Sequence, residues 1–517
     1  MKINNIIVFK IIFYFIFVPI ILSSNSIKTK ENINIFNSNN NINNKYINFK
    51  QNYDIEFLNK HLTTKTPYHT NGFYNSNSFI NPIPNCKLVS MDIVLRHGSR
   101  YPEIKILNKF DSLKKEIQKI KSLIVGEEFE WLRNYEIPYQ RELAGNLIEL
   151  GNIEHYNISK RLLEKHPNYF ETPYSPQSYK ISSTIIPRTG VSASSFSYGL
   201  FEGTGKLPGN FQPVHIQTSN LENDNLLSFF LNCKKYTDKL KDGSISENEE
   251  AIWKQMKYPL IAREISERLG LSGKWLPSNS IVQSIFLSCV YQVAIDNISD
   301  QFCSLLSKEN ILDWEYAKDL STYWVNGYGN DINYEISSLL LKDIFNHFDN
   351  IINNVQNNST TPQQQQNKRE QQQPQESQEP LPSKDIKDEG PLEEFDKNEN
   401  SNPKNIFRFG HSETLVPFMS LLGLFKDGYH IYANSTLEQI KNRKFKTSLI
   451  VPYATNIGMF LYDCGNGQNS DFKILVKHNE SPILVPGCDD YYCSFNDFKS
   501  LFPKVLNFDW DSYCNNQ

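Results

Sequence analysis

Apolar positions recur along this chain with two different periods, and some long stretches have neither. Lys87–Leu95 (KLVSMDIVL) is dense in apolar and β-branched residues and predicts a buried strand. Asn146–Lys165 places Leu147, Leu150, Ile153, Ile158 and Leu162 at helical spacing, so an amphipathic helix is expected that ends before Pro167. Tyr179–Ser183 is a short strand candidate. From 201 to about 350 the pattern is mostly helical, and Trp253, Trp275, Trp314 and Trp324 are expected to anchor a core there. Leu415, Phe418, Met419 and Leu422 have i, i+3, i+4, i+7 spacing, which starts a helix near Glu413. Strand-like runs return at Ser448–Tyr453, Ile457–Tyr462 and Phe472–Val476. Strands at both ends with helices between them predict an α/β domain built from two chain segments, 56–200 and 404–517. A mostly helical domain, 201–352, is inserted between them.

The remaining stretches are polar or atypical. Residues 1–24 have the form of a signal peptide. Met1, Lys2 and Lys10 precede an apolar run from Ile11 to Leu22, shorter than the ~20 residues of a spanning helix, and Ser23, Ser24 and Ser26 supply small residues for cleavage. An uncleaved anchor that starts at Ile6 and tolerates Lys10 is the alternative. Residues 25–55, rich in Asn, Ser and Ile, form a flexible lead-in. Residues 353–403 are a Gln-rich acidic loop with too little apolar surface to offset chain entropy. It carries ten acids and five bases, a net −5, against −4 for the whole chain of 517 residues. No global basic field points to nucleic acid or to an acidic membrane, and no stable membrane span is expected.

Eight cysteines, Cys86, Cys233, Cys289, Cys303, Cys464, Cys488, Cys493 and Cys514, are spread out without a CxxC pair. Disulfides fit this spacing better than zinc, and with the signal they place the chain in the secretory pathway, secreted or lysosomal. Sequons at Asn157, Asn297, Asn357, Asn358, Asn434 and Asn479 are glycosylation candidates; Pro482 weakens the last.

The sharpest chemical signal is Arg96-His97-Gly98-Ser99-Arg100-Tyr101-Pro102, directly after the first predicted strand. In open α/β sheets ligands bind at such strand ends. Gly98 permits a tight turn, and Pro102 suits the opening of the next helix. Arg96 and Arg100 flank the histidine with planar forks suited to phosphate oxygens. A neutral imidazole can attack phosphorus and hold the phosphoryl group, while arginine charge steadies its equatorial oxygens. The bland alternative is a solvated basic turn with a structural histidine.

This motif resembles that of the histidine acid phosphatase family. Ser182-Ser183-Thr184-Ile185-Ile186-Pro187-Arg188-Thr189-Gly190-Val191-Ser192-Ala193, followed by Phe196 and Gly199-Leu200, is similar to the family's next phosphate-binding element. It implies a role for Arg188, which alone would be an ordinary loop arginine. Gly410-His411-Ser412-Glu413-Thr414 resembles the family's second histidine and proton donor. By resemblance His411 donates a hydrogen bond to phosphate and Glu413 protonates the leaving oxygen. Read by itself, Glu413 equally fits a capping carboxylate in a first helical turn. Lys105 is a candidate for a peripheral phosphate, though an unpartnered surface lysine is the default reading.

Most acid phosphatases and phytases of this family have His-Asp where this chain has His-Ser-Glu. That departure resembles the multiple inositol polyphosphate phosphatase branch. So do Thr63-Thr64-Lys65-Thr66-Pro67-Tyr68, the stretch Asp319–Gly329, Arg443-Lys444-Phe445 and Ser448–Ala454. The resemblance covers roughly 60–350 and 404–510. It implies a mostly parallel sheet flanked by helices with an inserted helical domain, and the disulfides Cys86–Cys464, Cys233–Cys514, Cys289–Cys303 and Cys488–Cys493. It also implies metal-independent hydrolysis without a cofactor, through a phosphohistidine at His97. The implied small-molecule substrates are inositol hexakisphosphate and lower inositol polyphosphates, with 2,3-bisphosphoglycerate as a further one. A broad-specificity acid phosphatase is one alternative, and the family's mutase-like relatives are a weaker one. A catalytically silent phosphate-ligand binding protein is opposed by the joint presence of Arg96, His97, Arg100, Arg188, His411 and Glu413. The branch's animal members often end in an ER-retention tetrapeptide; this chain ends Cys514-Asn515-Asn516-Gln517, so ER retention is not expected. Oligomeric state is left open.

Overall fold

The computed structural model describes residues 54–71, 83–246, 248–358, 402–465 and 471–515. The expected signal peptide, most of the lead-in and most of the Gln-rich loop lie outside them. Strands β1 (Lys87–Arg96), β2 (Tyr179–Thr184), β3 (Ile216–Ser219), β4 (Asn405–Gly410), β5 (Asn456–Asp463), β6 (Phe472–His478), β7 (Ser481–Pro482) and β8 (Tyr492–Ser494) make one sheet. Its order is β3-β2-β4-β1-β5-β6-β7, with β8 also paired to β6. The sheet is mixed: β3, β2, β4 and β1 run parallel, and the pairs from β1–β5 onward are antiparallel.

The longer helices are α1 (Ile104–Ile120), α2 (Glu149–Lys165), α3 (Pro187–Phe201), α4 (Glu249–Arg268), α5 (Asn279–Tyr291), α6 (Lys308–Asn326), α7 (Ser338–Asn358) and α8 (Ser412–Leu421). Strand alternation sorts β1 between two cores. Met91, Ile93 and Leu95 pack with Ile158 and Leu162 of α2 and Phe196 of α3. Val94 joins Ile344 and Phe348 of α7 and Leu415 and Met419 of α8. A third core is helical: Leu107, Phe110 and Leu113 of α1 lie with Phe286 and Val290 of α5 and Trp314 of α6. The chain is thus a mixed α/β fold with a helical region beside it. That region also draws on α1, upstream of 201–352, while the sheet takes β3 from inside that span. Trp253, Trp314 and Trp324 are buried, and Trp275 is partly so.

Several local expectations are corrected. Ser448–Tyr453 is not a strand: Thr447–Ile450 is a single helical turn, followed by loop. The polar groups here are claimed by α6, since Thr447 N and Oγ1 donate to Asp319 Oδ1 at 2.8 and 2.7 Å and Ser448 Oγ donates to Glu315. The Val451 carbonyl is taken by Arg96, and Pro452 has no N–H for a ladder. The helix expected from Asn146 begins at Glu149, because Leu147 bridges to Arg100. Ile153 of that helix is exposed. Pro102 does not open α1, which starts at Ile104 with Glu103 as its N-cap. Asn479 is fully buried, with Oδ1 accepting from Asn456 N, so it does not offer a glycan acceptor. Asn157, Asn297, Asn357 and Asn434 are exposed, and the side chain of Asn358 lies outside the described residues.

The eight cysteines form Cys86–Cys464, Cys233–Cys514, Cys289–Cys303 and Cys488–Cys493. Among the described residues no helix is long and apolar enough to cross a membrane.

Adjacent strands β1 and β4 also share a buried ion pair. Arg408 donates from Nε and Nη2 to Asp92 Oδ1 and Oδ2 at 2.9 and 2.8 Å, and His347 of α7 reaches Oδ2 at 3.2 Å. Burial alone would raise the Asp92 carboxyl, but Arg408 and His347 outweigh it and hold it down at about 2. Asp92→Asn leaves a buried guanidinium half-partnered and should cost about 3 kcal/mol or more at neutral pH. The depressed carboxyl stabilises the fold above the unfolded value of about 4, and that contribution fades as pH falls towards 2. Urea unfolding at pH 7 and at pH 3 should therefore show a wide gap between wild type and variant at pH 7 that narrows at pH 3.

Candidate active site

Parallel pairing of β1 with β4 places Arg96 opposite Gly410, so His97 and His411 leave neighbouring strands at the same edge. The backbone there is fixed on both sides. His97 N donates to Gly410 O at 3.1 Å, and Ala454 N donates to His97 O at 3.0 Å. The turn after β1 lies hard against the first turn of α2. A Cβ on Gly98 would meet Gly151 O at 2.4 Å, and one on Gly151 would meet Ser99 O at 2.2 Å. Glu154 of α2 holds that turn, accepting from Ser99 N and Oγ at 2.7 and 2.9 Å and from Tyr68 N at 2.9 Å.

His97 is buried, and its Nδ1 lies 2.9 Å from Gly98 O. A carbonyl only accepts, so Nδ1 carries the proton and Nε2 keeps a lone pair. Burial, then Arg96, Arg188 and Arg100, push the imidazole well below its usual range, so it stays neutral even in acid.

Three guanidiniums surround this ring, each delivered by a different element. Arg96 ends β1; its Nη1 donates to Thr64 O and Val451 O, both at 2.7 Å, and its plane sits 4.8 Å from the Tyr453 ring centre. Arg100 donates from Nη1 to Tyr101 O and from Nη2 to Glu103 Oε1, each at 2.9 Å. Arg188, in the first turn of α3 after Pro187, puts Nη2 3.5 Å from His411 Nδ1. The Nε of all three is buried without an acceptor among the described residues. Buried donors of this kind want a partner.

His411 faces His97 with ring centres 5.7 Å apart. Its Nε2 is 3.0 Å from Thr184 Oγ1, a hydroxyl able to donate or accept, so this contact allows either tautomer. In the empty site Nδ1 accepts from Arg188, which only donates, and Nδ1 can itself donate to a ligand once that guanidinium turns to the ligand. Burial, then Arg188, lowers His411 to about 3. Glu413 lies half-buried in the first turn of α8, and Ser412 Oγ donates to its Oε2 at 2.7 Å. Burial pushes the Glu413 carboxyl up, but charge on His411, the Ser412 hydroxyl and Arg96 bring it below the ordinary carboxylate range.

A cavity of about 250 Å³ lies over His97 and takes in Arg96, Arg100, Arg188, Ser412 and Glu413. Lys65, Lys105, Lys109 and Lys318 also line it. Lys105 is half-exposed and pairs with Glu103 at 3.1 Å. Of the site residues expected from sequence, Arg96, His97, Arg100, Lys105, Arg188 and Glu413 line this cleft, and His411 packs beside His97 at its edge. Lys65, Lys109, Lys318, Glu103, Thr184 and Tyr453 were not among them. Lys65 sits in the stretch Thr63–Tyr68, and Lys109 follows Lys105 by four residues, one helical turn on the same face. Lys318 has no such local signal. Lys65 is pushed down to about 7 by burial and by Arg100 and Arg96.

A cleft of this charge, lined by a neutral imidazole, suits binding of an anionic group. Comparison with known proteins agrees. Residues 87–477 match the model of the histidine phosphatase superfamily, branch 2. The chain is 47% identical over 510 residues to multiple inositol polyphosphate phosphatase 1 of Dictyostelium discoideum, covering 90% of this chain and 78% of that protein. It is 26% identical over 436 residues to the Gallus gallus protein of the same name, covering 83% and 84%. The crystal structure of the phytase from D. castellii superposes with a TM-score of 0.65 at 16% identity, over 90% of this chain and 88% of that one. This chain belongs to branch 2 of the histidine phosphatase superfamily.

Proposed function

We propose that this chain hydrolyses phosphomonoesters of inositol hexakisphosphate and lower inositol polyphosphates through a phosphohistidine at His97. The observation that carries the reading is a neutral, buried histidine facing three guanidiniums in a cleft that four lysines also line. One phosphate needs only the inner cations; the lysines suit a substrate with several. The identity to a protein named for inositol polyphosphates supports that class over a broad acid phosphatase. The same lysines, Lys105 among them, take peripheral phosphates. Four disulfides and the signal-like N-terminus support a place in the secretory pathway, secreted or lysosomal.

In the first step the Nε2 lone pair of His97 forms the N–P bond as the P–O bond to the inositol oxygen breaks. Glu413 gives its proton to that oxygen. Arg96, Arg100 and Arg188, with a hydrogen bond from His411, bear the charge on the equatorial oxygens. In the second step the Glu413 carboxylate takes a proton from water, whose oxygen bonds phosphorus as the N–P bond breaks and orthophosphate leaves. Glu413 is ionised in the empty site, and an arriving phosphate dianion raises its carboxyl again. The proton is thus taken up with the substrate, and turnover of alkyl phosphates should rise from neutral into mild acid.

Rapid quenching with labelled inositol hexakisphosphate should trap an acid-labile, base-stable label on wild type and none on His97→Ala. Label persisting on that variant would refute the nucleophile.

Glu413→Gln should slow inositol phosphates on the order of 10²–10⁴-fold, because an inositol alkoxide needs its proton. Nitrophenyl phosphate, with a good leaving group, should lose far less, and the acid-side rise with alkyl phosphates should vanish. Equal losses on both substrates would make Glu413 an organiser of the phosphate site.

A further inference from the structure

Glu103 is a carboxylate inside the cation cluster. It caps α1 with extended backbone, yet its side chain accepts from no backbone N–H of that helix. Instead Oε1 lies 2.9 Å from Arg100 Nη2 and 3.7 Å from Arg188 Nη2, and Oε2 lies 3.1 Å from Lys105 Nζ. It lines the cavity and is 27% exposed, so a solute can reach it. We propose that Glu103 is an internal anion that occupies Arg100, Arg188 and Lys105 in the resting site and yields the two arginines to an arriving phosphate. It thereby weakens the hold on orthophosphate and simple monoesters.

Carboxylate and phosphate oxygens satisfy guanidinium donors in the same way, so the two compete for the same N–H groups. Positioning the arginines does not require a carboxylate. Arg96 is fixed by two backbone carbonyls, and Arg100 already has Tyr101 O at 2.9 Å. What Glu103 adds is negative charge against two of the guanidiniums that face an arriving phosphate. Burial would raise its carboxyl, but Arg100, Lys105 and Arg188 hold it well below the ordinary range, so it stays charged across the working pH.

A polyphosphate compensates for displacing it by engaging Lys65 and Lys109. Their partners are neutral, the Thr64 hydroxyl at 2.9 Å and Gln283 Oε1 at 3.1 Å. A monoester or released orthophosphate has no second phosphate for them. Glu103 returning to the arginines then favours product departure. This inference rests on the phosphatase reading and adds the basis for its preference among phosphates.

Calorimetric titration of orthophosphate into the full chain tests it. Glu103→Gln should tighten orthophosphate on the order of tenfold. Glu103→Thr, which keeps a residue suited to helix capping, should do the same. KM for nitrophenyl phosphate should fall with it, while KM for inositol hexakisphosphate should change much less. Unchanged or weaker orthophosphate binding in both variants would overturn the proposal and leave Glu103 as an organiser of Arg100. Turnover by the wild type reads the phosphatase assignment separately, so failure of that assignment is distinguishable.

Discussion

The site depends on one constraint, the parallel pairing of β1 with β4 in a single register. Arg96 opposite Gly410 brings the two following histidines together from positions more than three hundred residues apart. A slip of one residue would turn every side chain of a strand to the other face, burying polar groups and exposing core. Three things hold the register. Met91, Ile93 and Leu95 are committed to one core and Val94 to the other. Asp92 and Arg408 lock across the pair inside the sheet. Beside β4, strand β2 ends at Thr184, which orients His411, and the next helix opens with Arg188.

Gathering so much positive charge is unfavourable unless the fold supplies acceptors, and here they are mostly backbone. Carbonyls of Thr64, Val451 and Tyr101 and the face of Tyr453 hold Arg96 and Arg100 without charge, and Glu103 is the carboxylate that faces Arg100 and Arg188. Burial and the same field keep His97 unprotonated, so in the proposed reaction it needs no separate base. On the proposed reading, one organisation both binds the phosphate and prepares the atom that attacks it.

The inner site was legible in sequence because its residues are local to strand ends. Arg96, His97 and Arg100 share one turn, and His411 and Glu413 share another. The α/β class followed from strand-like runs at both ends of the folded part. What escaped has physical causes. Lys318 comes from a helix whose pattern reports only its buried face, and nothing local says that the opposite side lines a cleft. Glu103 looks like an ordinary first-turn acid until Arg188, far along the chain, is brought beside it. Ser448–Tyr453 has the composition of a strand, but carboxylates of α6 take the Thr447 N–H and the Ser448 hydroxyl, and the N–H groups of Leu449, Ile450 and Val451 close a helical turn on Lys446 O and Thr447 O. Chain boundaries were least legible, since α1 packs with helices well downstream and β3 returns to the sheet.

The most direct measurement is a time course of the purified full chain with inositol hexakisphosphate, the products resolved by anion exchange. The account requires successive lower inositol phosphates, with orthophosphate released in step and no metal added. An intact substrate, in a preparation that hydrolyses nitrophenyl phosphate, would contradict it.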